Sequence, residues 1–284
     1  MKRSPWFGTA AAFLCLSAVC PAAITSYFAD FSGDETSLTS AFAGASDAAV
    51  PGWTWNGTAG VGGGEGILVG SSSSNKYYRP TPGADATSAI DLAALSSGQG
   101  FRSSADFRWS DIEATDLTVL NFGFVTTQAT AMSSTNSMGG SIIRSAGGSG
   151  VTLRLRSGTS DVETLSFNQS LFTAGNWYRL VYETVKTDTA NTFASVLTLY
   201  SIGADGTATP VVMDNVGTPL TISSQIGSSV LYSDSAAFAA YDVRNTNGIS
   251  AMDNLRLEFI PEPSAAALLA VGMAGMAVRR RRGL

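Results

Sequence analysis

A few side chains in this 284-residue chain have types and spacings that could do chemistry. Asp111 and Glu113 alternate along Asp111-Ile112-Glu113-Ala114-Thr115-Asp116, so an extended backbone would put both carboxylates on one face. Two carboxylates so placed can serve as nucleophile and acid on a glycosidic bond. The competing reading is a polar turn between two strands. Trp53 and Trp55 alternate in the same way beside Gly52 and Asn56, and Tyr77 and Tyr78 follow a serine-rich stretch. Exposed aromatics of this kind stack on sugar rings, whereas buried ones fasten a strand to a core, and spacing leaves both open. These four are the candidate glycan contacts. Tyr77, Tyr78 and Arg79 would also suit a lyase, but a strand entering a proline turn explains them equally. Asp205, Asp214, Asn215, Asp242, Asn245 and Asn247 could supply oxygen ligands to calcium, yet their spacing singles out no set, so calcium stays open without assigned ligands. Gly60–Gly66 lacks the Lys-Ser/Thr ending of a phosphate loop. No catalytic residue is assigned.

Composition narrows the chemistry further. The chain has no histidine, and its two cysteines, Cys15 and Cys20, fall in an N-terminal stretch that reads as a leader. Residues 24–260 therefore have no disulfide, no thiolate or imidazole metal ligand and no histidine base. Six of the 17 basic residues lie in the two terminal segments, as does one of the 22 acidic ones, which leaves residues 24–260 at a net charge of about −10. With Lys76 and Lys186 as its only lysines, such a surface does not suit nucleic acid, which needs clustered cations. It suits solubility outside the cell.

The elements that must position these residues read as β throughout. Phe101, Ser103, Ala105, Phe107 and Trp109 alternate with polar residues, as do Val151, Leu153 and Leu155. Further strands are expected at Ile24–Phe31, Leu117–Val125, Ser141–Arg144, Val162–Phe167, Trp177–Lys186, Thr192–Ile202, Ala236–Val243 and Ile249–Phe259. Turn clusters are expected at Gly62-Gly63-Gly64, Ser71–Asn75, Ser145–Gly150, Ala204-Asp205-Gly206 and Asn245–Gly248, and a short turn near Asp91–Leu95. No long amphipathic helix appears between residues 24 and 260. The expectation is one all-β domain, a two-sheet antiparallel jelly-roll sandwich, over residues 24–260.

The two ends read differently. Lys2 and Arg3, the apolar Phe7–Val19 and the small-residue exit Pro21-Ala22-Ala23 form a secretory signal peptide over residues 1–23. Cys20 invites a lipoprotein reading, but Val19 stands where a small residue is expected. At residues 261–284, Pro261, Glu262, Pro263 and Ser264 should form an exposed, extended stalk, because each proline fixes its φ and restrains the residue before it. An uncharged run follows over 265–278, suited to a short transmembrane helix, and then Arg279, Arg280, Arg281 and Arg282. The arginines act as a membrane-stop cluster and stay cytoplasmic. Fourteen residues of helix rise about 21 Å against a hydrocarbon core of about 30 Å, so the segment reads as an address held briefly, not as a lasting anchor. A buried C-terminal helix is the alternative.

The tail resembles the PEP-CTERM sorting signal of Gram-negative bacteria, with Pro261, Glu262, Pro263 and Ser264 matching the motif that names it. The resemblance implies recognition by exosortase, cleavage near the Pro-Glu-Pro element, transient inner-membrane anchoring and delivery to the cell surface or exterior. A second resemblance runs through the domain. Asn176-Trp177-Tyr178-Arg179-Leu180-Val181-Tyr182, a turn at Thr187–Asn191 and Thr192–Tyr200 look like the central hairpin of concanavalin-like or laminin-G-like jelly rolls, and Ala251–Glu258 resembles their last strand, which returns to pair near Phe28–Phe31. Laminarinase-type hydrolases on this fold carry Glu-x-Asp-x-x-Glu; the order at Asp111–Asp116 departs from it. The resemblances imply a non-enzymatic, exported protein associated with exopolysaccharide or other glycans, the alternative being a secreted carbohydrate-active hydrolase or lyase with an atypical site.

Overall fold

The computed structural model describes residues 27–29, 53–56, 58, 60–64, 66–69, 72–78, 90–109, 118–126, 136–144, 150–212, 217–227, 237–245 and 249–261. Residues 1–23, read from the sequence as a signal peptide, Arg79, the acidic run Asp111–Asp116, Asp214, Asn215, Asn247 and the tail from Glu262 onward lie outside the described residues. Among the described residues the strands are β1 (Tyr27–Ala29), β2 (Trp53–Asn56), β3 (Gly66–Val69), β4 (Ser72–Tyr78), β5 (Gly100–Trp109), β6 (Thr118–Val125), β7 (Ser137–Arg144) and β8 (Gly150–Ser157). They continue with β9 (Ser160–Asn168), β10 (Trp177–Lys186), β11 (Thr192–Ile202), β12 (Ala208–Pro210), β13 (Thr221–Gly227), β14 (Phe238–Asn245) and β15 (Ile249–Ile260). Short 3-10 turns sit at Val61–Gly63 and Gln169–Leu171.

These strands form two antiparallel sheets, the all-β jelly-roll sandwich expected from the sequence. The larger runs β12-β11-β10-β5-β15-β3-β2, with β1 added to β15 and β13 to β11; the smaller runs β4-β14-β6-β7-β8-β9. At one lateral edge β11 and β13 face β8 and β9. At the other, β3 passes to β4, and so from sheet to sheet, through two residues. The last strand closes on the first, with Phe28 opposite Arg256.

The period-two pattern decides which side chains meet between the sheets. On β10, Tyr178, Leu180, Tyr182 and Thr184 are buried and alternate with half-exposed residues; on β11, Phe193, Ser195, Leu197 and Leu199 do the same. The hairpin between them turns at Asn191, whose φ of +56° asparagine tolerates better than most residues. Both strands have the expected bounds. Five others were not expected: β2, β3, β4, β12 and β13. Ser71–Asn75, read as a turn, is mostly strand β4, because pairing with β14 satisfies backbone groups that a serine-rich sequence alone gives no reason to extend.

The centre of the larger sheet holds a polar network built on one irregularity. Asn254 has φ +49°, and the register of β15 against β5 shifts between Asp253 and Arg256. The Asn254 amide donates to the fully buried Asp106 at 2.9 Å, and Asp106 takes a bidentate fork from Arg179 at 2.5 and 2.7 Å. This pairing holds the Arg179 guanidinium above its ordinary pKa. Across the core, Tyr241 of β14 donates to the carbonyl of Arg256 at 2.8 Å and accepts from Ser103 Oγ at 3.1 Å. One side chain thereby ties the two sheets together beside the bulge.

That tie carries a pH dependence. Burial pushes the Tyr182 and Tyr241 hydroxyls above the ordinary tyrosine value, and their hydrogen bonds only partly offset it. In the unfolded chain both ionise near pH 10, so above that pH the folded state binds more protons than the unfolded one. Their contribution is complete below pH 10 and is lost as pH rises beyond it, at up to about 1.4 kcal/mol per pH unit for each tyrosine. Urea midpoints measured from pH 8 to 11 should be flat at first and then fall; a flat line throughout would contradict this.

Candidate functional site

The outer face of the six-stranded sheet carries a transverse polar row. Register sets Asp242 of β14 opposite Asn121 of β6, Asn121 opposite Ser141 of β7, Ser141 opposite Arg154 of β8, and Arg154 opposite Thr164 of β9. Each follows from alternation: Asn121 lies between the core residues Leu120 and Phe122, Arg154 between Leu153 and Leu155, and Asp242 between Tyr241 and Val243. Beside this row runs another, Ala240, Gly123, Gly139, Arg156 and Asp161, again in register. Gly123 is required there, because a Cβ would stand 2.2 Å from the Met138 carbonyl oxygen.

The face is closed at one end and open at the other. Over β14, β6 and β7 it is as buried as the core: Ser141 is 0% exposed, Asp242 2% and Asn121 6%. Over β8 and β9 it opens, with Arg156, Arg154 and Asp161 side chains 16%, 28% and 33% exposed and Thr164 and Ser166 at the surface. Within the closed part Asn121 Oδ1 and Ser141 Oγ have no hydrogen-bond partner. Orphaned polar atoms this deep are few in native proteins, and with so little exposure they lie out of reach of a surface ligand, which leaves the open end as the accessible part of the face.

The open end is a shelf with more positive than negative charge. Arg154 Nη1 lies 3.2 Å from Asp161 Oδ2 and Arg156 Nε 3.1 Å from Asp161 Oδ1, so two guanidiniums share one carboxylate. Arg156 Nε is in ion-pair reach but out of line for a hydrogen bond, and Arg154 Nε also lacks one. Arg156 further donates to the Thr159 carbonyl at 3.1 Å, and Thr152 and Ser166 share a hydrogen bond of 3.0 Å alongside. Hydroxyls, a carboxylate and planar cations on a shallow surface are groups that can bond sugar hydroxyls.

A second concave surface lies on the outer face of the larger sheet. Arg102, Ser104, Arg179, Val181, Glu183, Tyr200, Ala208, Arg256 and Glu258 line a groove of about 270 Å³. Its cations are matched: Arg102 pairs with Glu183 at 2.5 Å, Arg256 with Glu258 at 3.1 Å, and Arg179 with Asp106. Arg108 lies over the Trp177 ring at 5.7 Å at the edge of this region.

The aromatics singled out in the sequence sit elsewhere. Trp53 and Trp55 are on β2, an end strand of the larger sheet, opposite Val69 and the core residue Ile67. Tyr77 and Tyr78 are on β4, the end strand of the smaller sheet, opposite Asp242 and Tyr241. Both strands belong to the lateral edge where β3 crosses to β4; only Tyr77 continues the polar row. Of the calcium suppliers, Asp205 is in the exposed turn before β12, where the Thr207 backbone N–H bond at 3.0 Å holds its carboxyl below the ordinary range. Asp242 is buried in the other sheet, and Asn245 ends β14. Among the described residues no three acidic side chains converge as a metal site would need. Sequence reasoning missed Asn121, Ser141, Arg154, Arg156 and Asp161. Each strand's alternation marked them as outward, but only the register lines them up.

The last strand, β15, finishes at Ile260, and Pro261 directly after it is exposed. Residues 259–282 match the model of the PEP-CTERM protein-sorting motif. The chain carries a PEP-CTERM sorting segment. That match begins inside the last strand, at Phe259, so the PEP-CTERM segment is joined to the sandwich without a spacer. No curated protein matches the chain. Among solved structures it is similar to lectin II from Ulex europaeus, at 12% identity and a TM-score of 0.41, over 83% of this chain and 97% of that one. It is similar to arcelin-5, a lectin-like defence protein from Phaseolus vulgaris, at 10% identity and a TM-score of 0.42, over 83% and 96%. It is also similar to a carbohydrate esterase from the Shiga toxin-encoding bacteriophage phi24B, at 12% identity and a TM-score of 0.44, over 83% and 98%.

Proposed function

We propose that this protein is exported across the inner membrane of a Gram-negative bacterium, held there briefly by residues 265–278, cut by exosortase near Pro261–Pro263, and delivered to the cell surface or matrix. There the sandwich binds exopolysaccharide or another glycan and does not turn it over. The observation that carries the route is the PEP-CTERM match over residues 259–282, with Pro261 exposed at the end of the last strand. Support for the glycan comes from the polar row on the six-stranded sheet and from the shelf at its open end. The shelf's Asp161 is tied to two arginines and is not one of two facing acids, which suits binding better than hydrolysis.

A glycan array and a pull-down from the native polysaccharide, run with residues 24–260, test the binding. We expect retention on at least one polysaccharide, a tenfold or greater loss of affinity in Thr164→Leu on the open shelf with its melting temperature kept near wild type, and no release of new reducing ends. No retention by either method would leave a purely structural role. Release of sugar by the purified domain would replace binding with catalysis.

A further inference from the structure

We infer that the β8–β9 shelf selects an acidic polysaccharide, one bearing uronate carboxylates, over a neutral one; this rests on the glycan reading above and names the ligand class of that same site. The first ground is stoichiometry. Arg154 and Arg156 face one carboxylate between them, Asp161, whereas on the opposite sheet Arg102, Arg179 and Arg256 have Glu183, Asp106 and Glu258. The shelf therefore keeps one unmatched positive charge, and the groove on the other face keeps none. In a domain with a net charge of about −10, such an excess is local.

The second ground is hydrogen bonding. Arg154 Nε has no partner and Arg156 Nε faces Asp161 out of line; both Nε atoms are buried, so a ligand would engage the exposed part of each guanidinium. A guanidinium is planar and offers a fork of donors that matches a carboxylate bidentately. The internal pairs with Asp161 are partly exposed, and pairs of that kind contribute little to stability. A ligand carboxylate can displace or join Asp161 at little cost. Third, Thr164 stands directly opposite Arg154 in register, and it and Ser166 are exposed, so their hydroxyls can bond a sugar hydroxyl next to the ligand carboxylate. From Asp242 to Arg154 the row crosses three strand spacings, about 14 Å, so the acidic group of the ligand belongs at the arginine end, away from Asp242.

The test uses residues 24–260 with polygalacturonate, dextran sulfate and plain dextran as probes. It is run at 150 mM salt, where the Debye length of about 8 Å confines the repulsion from the rest of the acidic domain. We expect polygalacturonate to bind at least tenfold more tightly than dextran. Arg154→Gln with Arg156→Gln should abolish that preference, and Lys186→Gln on the other sheet should leave it intact. Asp161→Asn should tighten polygalacturonate binding several-fold, because the competing carboxylate is gone; a merely structural pair would show the opposite sign, and this variant keeps the test open if the double arginine variant does not fold. Equal binding to polygalacturonate and dextran would overturn the selectivity while leaving glycan association standing. Binding to dextran sulfate alone would overturn the carboxylate assignment, and binding to none of the three would overturn it as well. An equal loss in Lys186→Gln would mean that charge alone, and not the shelf, is read.

Discussion

Alanines in place of Pro261, Glu262 and Pro263 are expected to leave nearly all of the protein in the inner membrane with its C-terminal segment uncut. The sequence leads to the expectation of a rigid stalk, because the two prolines fix φ and disfavour helix at Ile260 and Glu262. With alanines, the helix expected from the sequence over 265–278 would extend backward, since alanine has the highest helix propensity. About 21 Å of apolar helix then lengthens toward the 30 Å that a stable span needs, and the arginine stems at its other end snorkel as before. The change thus removes the recognition element and converts an address into an anchor. Cell fractionation combined with intact mass spectrometry of the mature C-terminus reads both outcomes. Normal release and a normal cut would exclude the sorting route.

Trp109→Ala should cost about 3–5 kcal/mol, the range for deleting a large aromatic from a packed core. Trp109 is fully buried at the end of β5, stacked on Phe172 at 4.9 Å and edge-on to Phe107 at 5.9 Å. Phe172 in turn meets Tyr178 at 4.6 Å and Phe167 at 5.8 Å, so the indole holds a cluster drawn from β5, β9, β10 and the residue after the second 3-10 turn. These neighbours are anchored by backbone bonds, including Gly175 N–H to the Trp109 carbonyl at 2.7 Å, and cannot all collapse into the space left. Since whole domains are stable by roughly 5–15 kcal/mol, the loss should shift the urea midpoint far down. A cost below about 1 kcal/mol would mean that this end of the sandwich does not hold the fold.

The strands that the sequence made legible are those with strong alternation or a longer apolar run. β10 and β11 have the expected bounds, and β5, β6, β8, β14 and β15 fall within a residue or two of them. In β5, β8, β10 and β11 the side chains contrast apolar with polar at nearly every second position, in β6 and β14 apolar residues run more continuously, and either signal is local. Most of the missed strands lack that alternation; β2 has it but is only four residues long. β4 reads Ser-Ser-Ser-Asn-Lys-Tyr-Tyr, and β13 reads Thr-Ile-Ser-Ser-Gln-Ile-Gly. Both are strands because a neighbour offers hydrogen bonds, β14 to the first and β11 to the second. The sites followed the same division. Tryptophan and tyrosine stand out by type, so Trp53, Trp55, Tyr77 and Tyr78 drew attention. Asn121, Ser141 and Arg154 are ordinary residues on separate strands, and nothing in their spacing joins them.

The sequence alone determined the β class, the sandwich, the absence of cysteine and histidine from residues 24–260 and the sorting tail, because each depends on composition or on residues close together in the chain. The tertiary structure alone decided which polar side chains share a face. Register between β14, β6, β7 and β8 brings together residues as much as 121 positions apart, from Asn121 to Asp242. A slip of one residue in any of those pairings would turn that strand's polar side chains into the core. That cost, paid in buried apolar surface, holds Ser141 opposite Arg154, and it is set by packing between sheets that no local stretch of sequence contains.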